Sequence, residues 1–463
     1  MKIKLILSIC LTSIIIFSNI TSSADIPQAK NQLFETNSAK VTLANWTLLY
    51  YLAADNHLSS ETGPLVENLS AIGSNKYMNI VILRDDNEKD DTILYHVNNN
   101  GSLKVLNKQF GWPDEVDTSD TNTLKLFTEQ MMEAYPAKYY ALIIFAAGGA
   151  GWQHFALHDN DSDIGPTMPE FANVMKDITK NGANKIDILV TPCITGMIEV
   201  AYELAPYAKY LSTTEEHTPD GYLHYMRFYK AVIELRNNTG LKPDEFASII
   251  PKKHEPVVFS FFKENFITNI LNKLPFHKLH SVKMYTTSSI VNLSLISNLS
   301  SEVDRLSSML ILNMKFNNEV NTAIQKARSD AREYGKGYAK YGFSLPFLNF
   351  FKNCIHSKLP LEGNSFDSFI DLYHFAEMLY NYSDNAEIKN QCVNVMKKLD
   401  ESIIAEKSFP YDNSNGLSIY FPDNKYLYNR YIFGGKKAPS LYEEQFFSKD
   451  TTWDDFIKAY LGI

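Results

Sequence analysis

Two apolar runs limit what this sequence can fold into more than anything else in it. The first is Tyr139-Tyr140-Ala141-Leu142-Ile143-Ile144-Phe145, which passes into Ala146-Ala147-Gly148-Gly149-Ala150-Gly151-Trp152. The second is Ile186-Asp187-Ile188-Leu189-Val190, which passes into Thr191-Pro192-Cys193-Ile194-Thr195-Gly196-Met197-Ile198-Glu199. Short runs that are apolar on both faces predict fully buried strands of a parallel sheet. Open sheets with helices on both faces place their sites beyond the carboxyl ends of such strands. Cys193 and the glycine-rich turn at Gly148 are therefore expected close together at one sheet edge.

The neighbouring segments fit an α/β alternation. Residues 46–52 predict a first strand, followed by a helix with Leu65, Leu69 and Ile72 on one face, Pro64 in its first turn and Gly73 just past its end. Strands are expected at 80–83 and 92–97. An amphipathic helix carrying Leu124, Phe127, Met131 and Ala134 follows and is stopped by Pro136. Thr167 and Glu170 form a capping box that opens the helix before the second apolar run. Cys193 to Ala205 reads as a helix and 210–213 as another strand. The loop 214–221, containing Glu215, Glu216, His217 and Asp220, closes the core. Beyond about residue 240 the pattern turns helical, with a stripe of Phe369, Leu372, Ala376, Leu379 and Tyr380. A strand is expected at 416–422, and Trp453, Phe456 and Tyr460 mark the last helix.

Composition bounds the compartment and the partners. With 463 residues, 45% of them hydrophobic, the chain can bury a large core. A net charge of −9 and the lack of any Lys/Arg-rich cluster argue against a nucleic-acid surface. Residues 1–24 read as a secretory signal: Lys2 and Lys4, an apolar stretch at 5–17 too short to span a bilayer, and Ser22-Ser23-Ala24 as the cleavage site. The mature protein is expected to be exported, periplasmic or secreted, with no membrane anchor after cleavage. Removing Cys10 leaves Cys193, Cys354 and Cys392. The plain reading in an oxidising compartment pairs Cys354 with Cys392 and leaves Cys193 as the free thiol.

At Cys193 the chain resembles the clostripain family of cysteine peptidases. The residues that carry the likeness are 51–56, 139–152, 167–170, Cys193 with Met197 and Glu199, 214–216, 369–373 and 416–422, in that order. The resemblance implies an α/β fold of the caspase-like kind: a mainly parallel sheet flanked by helices, with a core over 25–240 and a more helical C-terminal part over 241–463. It also implies that Cys193 stands at the nucleophile position and that Gly148 occupies the position of the family's catalytic histidine. Two residues before the cysteine, where the family has an acidic residue for an Arg or Lys side chain, this chain has Thr191. Glu215 and Glu216, with Asp220 beyond them, are the remaining candidates for negative charge at the substrate.

Gly148 has no side chain with which to move a proton. Of the nearby histidines, His154 is the candidate substitute base; His154, His158 and His217 otherwise read as polar loop residues. His154, His158 and Asp159 lack a cysteine partner and helical spacing, so no metal site is expected from them. The stretch 159–163 (Asp159-Asn160-Asp161-Ser162-Asp163) resembles the start of a calcium loop with Glu170 at its twelfth position, and the family's activity is associated with calcium. Ile164, however, stands where such a loop needs glycine, and the capping box already explains Glu170. No cofactor is expected, calcium being the one candidate that the resemblance leaves open. Two functions follow. One is a degenerate peptidase, inactive or weakly active, that binds a peptide or protein in its groove. The other is an active endopeptidase that uses a relocated His154 and has altered, non-strict Arg/Lys specificity.

Overall fold

The computed structural model describes residues 43–146, 151–155, 157, 159, 165–216, 221–253, 257–260, 281–284, 286–334, 368–408, 412–430 and 441–463, with backbone alone for 221–227, 257–260 and 281–284. The expected signal segment, Gly148, His158, 160–164, His217, Asp220 and Cys354 lie outside the described residues.

In chain order the elements are β1 (Ala44–Ala53), α1 (Ser59–Ile72), β2 (Met78–Asp85), β3 (Ile93–Val97), β4 (Leu103–Val105), α2 (Asn107–Phe110), α3 (Thr121–Ala134), β5 (Ala137–Ala146), α4 (Met168–Ile178), β6 (Ile186–Val190), α5 (Ile198–Leu204), β7 (Ala208–Thr213), α6 (Gly221–Asn237) and α7 (Pro243–Lys252). They continue as β8 (Val257–Ser260), β9 (Ser281–Met284), β10 (Ser288–Asn292), α8 (Ile296–Met314), α9 (Asn318–Asp330), β11 (Glu333–Tyr334), β12 (Phe369–Asp371), α10 (Leu372–Tyr382), α11 (Ala386–Ser402), β13 (Ile403–Lys407), β14 (Ser418–Tyr420), α12 (Phe446–Asp450) and α13 (Trp453–Leu461).

Nine strands form one mixed sheet in the order β13-β10-β7-β6-β5-β1-β2-β3-β4. The middle of the sheet is parallel: β1 pairs with β2 and β5, β5 with β6, and β6 with β7. Its two margins are antiparallel. Alternation along β1 sends Trp46, Leu48, Tyr50 and Leu52 to a core shared with Leu65 and Leu69 of α1 and with Phe246 and Ile250 of α7. Leu49 and Tyr51 face the other way, toward Phe127 of α3, Phe171 of α4 and the helices of the C-terminal half. A strand residue points to the face opposite its neighbour, so a strand apolar at every position needs a helical layer on both sides.

The second half contributes more strand than its helical pattern predicts. β10 and β13 extend the main sheet beyond β7, while β11, β12 and β14 form a small antiparallel sheet. Pro64 lies in the second turn of α1 rather than its first, because the helix starts at Ser59. Phe369, expected on a helical stripe, sits in β12, and the helix begins only after Asp371 caps it by accepting from the His374 amide. Cys392 is wholly buried in the core as a free thiol. Among the described residues no helix is long and apolar enough to cross a membrane.

Candidate active site at the cysteine loop

Strand β6 ends at Val190, and the chain then runs through Thr191 and Pro192 to Cys193, which is half-buried. The expected helix from Cys193 onward starts five residues later, at Ile198. The hydrogen bonds of the loop explain the delay. The Thr195 hydroxyl donates to the Pro192 carbonyl at 2.6 Å and lies 2.7 Å from the Thr191 hydroxyl and 2.9 Å from that of Thr213. The Gly196 amide donates to the Thr214 carbonyl at 2.9 Å, and the Gly196 carbonyl accepts from the Ser418 amide at 2.8 Å. Backbone groups committed sideways to β7 and β14 are not available for a helical ladder. Gly196 is needed here for space: a methyl added to it would stand 2.6 Å from the Thr214 carbonyl carbon.

The glycine-rich turn meets this loop. Gly151 has φ 61°, and a methyl there would lie 2.5 Å from the Met197 sulfur and 3.6 Å from the Ile194 carbonyl oxygen. The two strand-end segments singled out in the sequence are therefore packed on each other, as the sheet rule requires. Trp152, the next residue, is wholly buried with its ring centroid 5.1 Å from that of Tyr420 and 5.0 Å from that of Tyr442. His154 is buried as well, with Nδ1 3.2 Å from the Phe155 carbonyl oxygen. A carbonyl only accepts, so Nδ1 carries the proton in this contact.

Of the calcium-like stretch, only Asp159 is among the described residues. Its carboxylate accepts from the Thr118 amide at 2.7 Å and from the Thr118 hydroxyl at 3.0 Å. Glu170 closes the capping box on Thr167, accepting from its amide at 2.8 Å. Among the described residues no group of three or more His, Cys, Asp or Glu side chains is placed to hold a metal ion.

Among the described residues, the acidic candidates Glu215 and Glu216 are engaged by the protein itself. Glu215 is buried and accepts from the Gly416 amide at 3.1 Å, and its carboxyl lies against that of Asp371. Burial first, and then the Asp371 charge, push the Glu215 carboxyl well above its ordinary range. Asp371 accepts from Tyr334 Oη at 3.0 Å, from the His374 amide at 2.7 Å and from the Asn415 amide at 2.6 Å. Glu216 pairs with Arg332 at 3.1 Å. The Thr191 side chain is wholly buried in the hydroxyl cluster.

Residues that the sequence reading did not assign complete the picture. Glu199 and Glu203 lie one turn apart on α5, both buried. Glu199 accepts from the Tyr420 amide and from Tyr442 Oη, each at 2.8 Å, and Glu203 accepts from the Phe446 amide at 2.5 Å. Burial pushes each carboxyl up to about 7. The available signal was the pair of carboxyls at i and i+4 on an otherwise apolar helix, for which a buried partner had to exist. Asp371 could have been found as the cap residue just ahead of the apolar stripe of α10.

A family model described as the clostripain family matches residues 50–460. Among solved structures, a secreted C11 cysteine protease from Bacteroides thetaiotaomicron, in complex with an irreversible peptide inhibitor, is similar over 89% of this chain and 100% of its own, with TM-score 0.55 and 14% identity. An inactive zymogen C11 protease from Parabacteroides distasonis is similar over 89% of this chain and 99% of its own, with TM-score 0.51 and 16% identity. At such identities the likeness establishes the fold, here the caspase-like one. No curated protein sequence matches the chain.

Proposed function

The chain belongs to the clostripain family, and from that membership we propose that it is an exported peptidase homologue whose groove beside Cys193 holds a peptide without efficiently cleaving it. What carries the reading is glycine at 148, the position that the resemblance gives to the family's catalytic histidine; Gly151, three residues on, lies against Met197 and the Ile194 carbonyl of the cysteine loop. Glycine presents nothing.

The chemistry follows from that vacancy. An unassisted thiol with pKa near 8.5 is only a few per cent thiolate at neutral pH. Helix α5 starts too far beyond Cys193 for its dipole to help, since that field fades within the first turn. When a thiolate attacks a peptide carbonyl, an S–C bond forms and the carbonyl oxygen takes the negative charge. Breaking the C–N bond then requires a proton on the departing nitrogen. Where no group supplies that proton, the adduct returns the thiolate. Losing general acid–base help costs roughly 10²–10⁴-fold in rate. His154, buried with its Nδ1 turned to the Phe155 carbonyl, is the residue whose help the endopeptidase alternative requires. Export rests on the signal-like residues 1–24.

The test is a peptide-library digest by the purified mature protein beside Cys193→Ala. Equal product profiles are expected. Cleavage that disappears in the variant would overturn the reading in favour of the His154-assisted endopeptidase. Gly148→His is expected to raise Cys193-dependent cleavage.

A further inference from the structure

We propose that Glu215 and Asp371 are positioning residues for Cys193: the proton they share clamps together the two chain segments that hold the cysteine loop, and its release loosens that loop. The inference concerns the thiol and its loop. It goes beyond the peptide-holding reading and does not depend on it.

The cysteine loop is gripped from two sides. On one side the Gly196 amide bonds the Thr214 carbonyl, and the Thr195 hydroxyl meets that of Thr213 at the end of β7. On the other side the Gly196 carbonyl accepts from the Ser418 amide at 2.8 Å and from Ser418 Oγ at 3.0 Å, at the start of β14. Glu215 ties the two sides to each other. Its carboxyl accepts from the Gly416 amide at 3.1 Å, across 201 residues of chain, and its own amide donates to Thr287 Oγ1 at 2.8 Å. Asp371 holds the residue before Gly416, accepting from the Asn415 amide at 2.6 Å and from its side chain at 3.0 Å.

Both carboxyls are buried, and they form a hydrogen-bonded pair. Two carboxyls in contact in a dry site do not both ionise, so one proton stays between them. The donors around them decide where it sits. Asp371 accepts from Tyr334 Oη and the His374 amide as well as from Asn415, whereas Glu215 accepts from Gly416. The richer donor set puts the charge on Asp371 and leaves the proton on Glu215. When hydroxide takes that proton, two negative charges face each other without water. The neighbours give little relief. Tyr334 of β11, Tyr373 of α10, Glu406 of β13 and Asp412 are acidic groups. Arg332 pairs with Glu216 at 3.1 Å, and His374 turns Nδ1 to the Arg332 amide at 2.8 Å. Separation of the two carboxyls is the remaining relief, and it parts the segments on either side of Gly196. Cys193, half-buried and three residues before Gly196, then becomes more accessible.

The test follows alkylation of Cys193 by iodoacetamide from about pH 6 to about pH 10, a span that covers the thiol and a raised carboxyl. Rates are read by intact mass, with Cys193→Ala as the blank. Glu215→Gln keeps an oxygen for Gly416 and an N–H for Asp371 but cannot ionise. Thiolate formation accelerates both proteins alike, so it cancels in the ratio of wild-type to variant rates. That ratio is expected to be constant at the acid end and to climb at least about fivefold toward the alkaline end, the low end of coupling between linked sites. A ratio that stays flat overturns the inference. Hydrogen exchange of the wild type gives a second reading that needs no variant. Peptides covering 193–198 and 414–418 are expected to accelerate with pH beyond peptides of β5. Equal acceleration everywhere would mean that the whole fold loosens, and it overturns the clamp.

Discussion

Glu199 and Glu203 fasten the helix that follows Cys193 to segments more than two hundred residues downstream, and they do so as carboxyls reluctant to ionise. Each is pushed up to about 7 by burial, against an ordinary value of 4.5. Between those two values the folded chain keeps protons that the unfolded chain has released. Their contribution is therefore intact below about pH 4.5 and is lost as pH rises through about 7. Asp85, pushed up to about 8 by its own burial, extends the decline. Denaturant unfolding at a series of pH values is expected to show stability falling from pH 5 to pH 8. A flat or rising profile would contradict the assignment. Glu199→Gln keeps an oxygen for Tyr420 and Tyr442 and removes one of the three titrations, so it should make that decline shallower. Glu199→Ala strands two buried donors and is expected to cost about 2–4 kcal/mol. At this scale the sequence placed Thr191 and Cys193 just past the end of an apolar strand, which is where β6 leaves them. It did not show Arg332 as the partner of Glu216, because the two are far apart along the chain and the pairing depends on tertiary structure.

At the scale of elements, the strands were the most legible part. β1, β5 and β6 are buried on both faces, so almost every residue in them is apolar and the run stands out. The capping box on α4 was equally plain, since both of its partners lie within four residues. The helix after Cys193 was misplaced because its start is decided by bonds to β7 and β14, which periodicity does not register. Gly196 marks that difference. Replacing it with Ala drives a methyl into the Thr214 backbone, and Gly196→Ala is expected to destabilise the fold by about 1–3 kcal/mol. A loss below about 0.5 kcal/mol in urea unfolding would mean that the loop can move away from β7. The last helix offers a second measure. Trp453 is wholly buried, its indole N–H donates to the Tyr420 carbonyl at 2.8 Å, and its ring meets Phe375, Phe421 and Phe456. Trp453→Ala should cost about 3–5 kcal/mol and shift the unfolding midpoint accordingly.

On the scale of the whole molecule, the two halves of the chain share one sheet. The helical tone of the sequence beyond residue 240 concealed this. β10 is only five residues long, and its neighbour β13 is half-exposed, so neither gives a long apolar run. Yet β10 pairs with β7 through Ser289–Thr213, Ile290–Ser212 and Val291–Leu211 and covers what would otherwise be an open edge. The small sheet of β11, β12 and β14 bonds the cysteine loop through Ser418. One core runs from Leu49 of β1 to Phe456 of α13. A fragment of residues 43–253 would therefore lose a sheet neighbour, the lid on Gly196 and the partners of Glu199 and Glu203 at once. Buried carboxyls left without donors cost far more than the same groups in water. Such a fragment is expected to show no cooperative urea transition and no near-ultraviolet circular dichroism of packed aromatics, although Trp46 and Tyr51 remain in it. A sharp transition in the fragment, with those aromatics still immobilised, would mean that the N-terminal half is self-sufficient. The cysteine loop would then be shaped by β7 alone, and the bonds from Ser418 and Tyr420 would be additions to a site already formed.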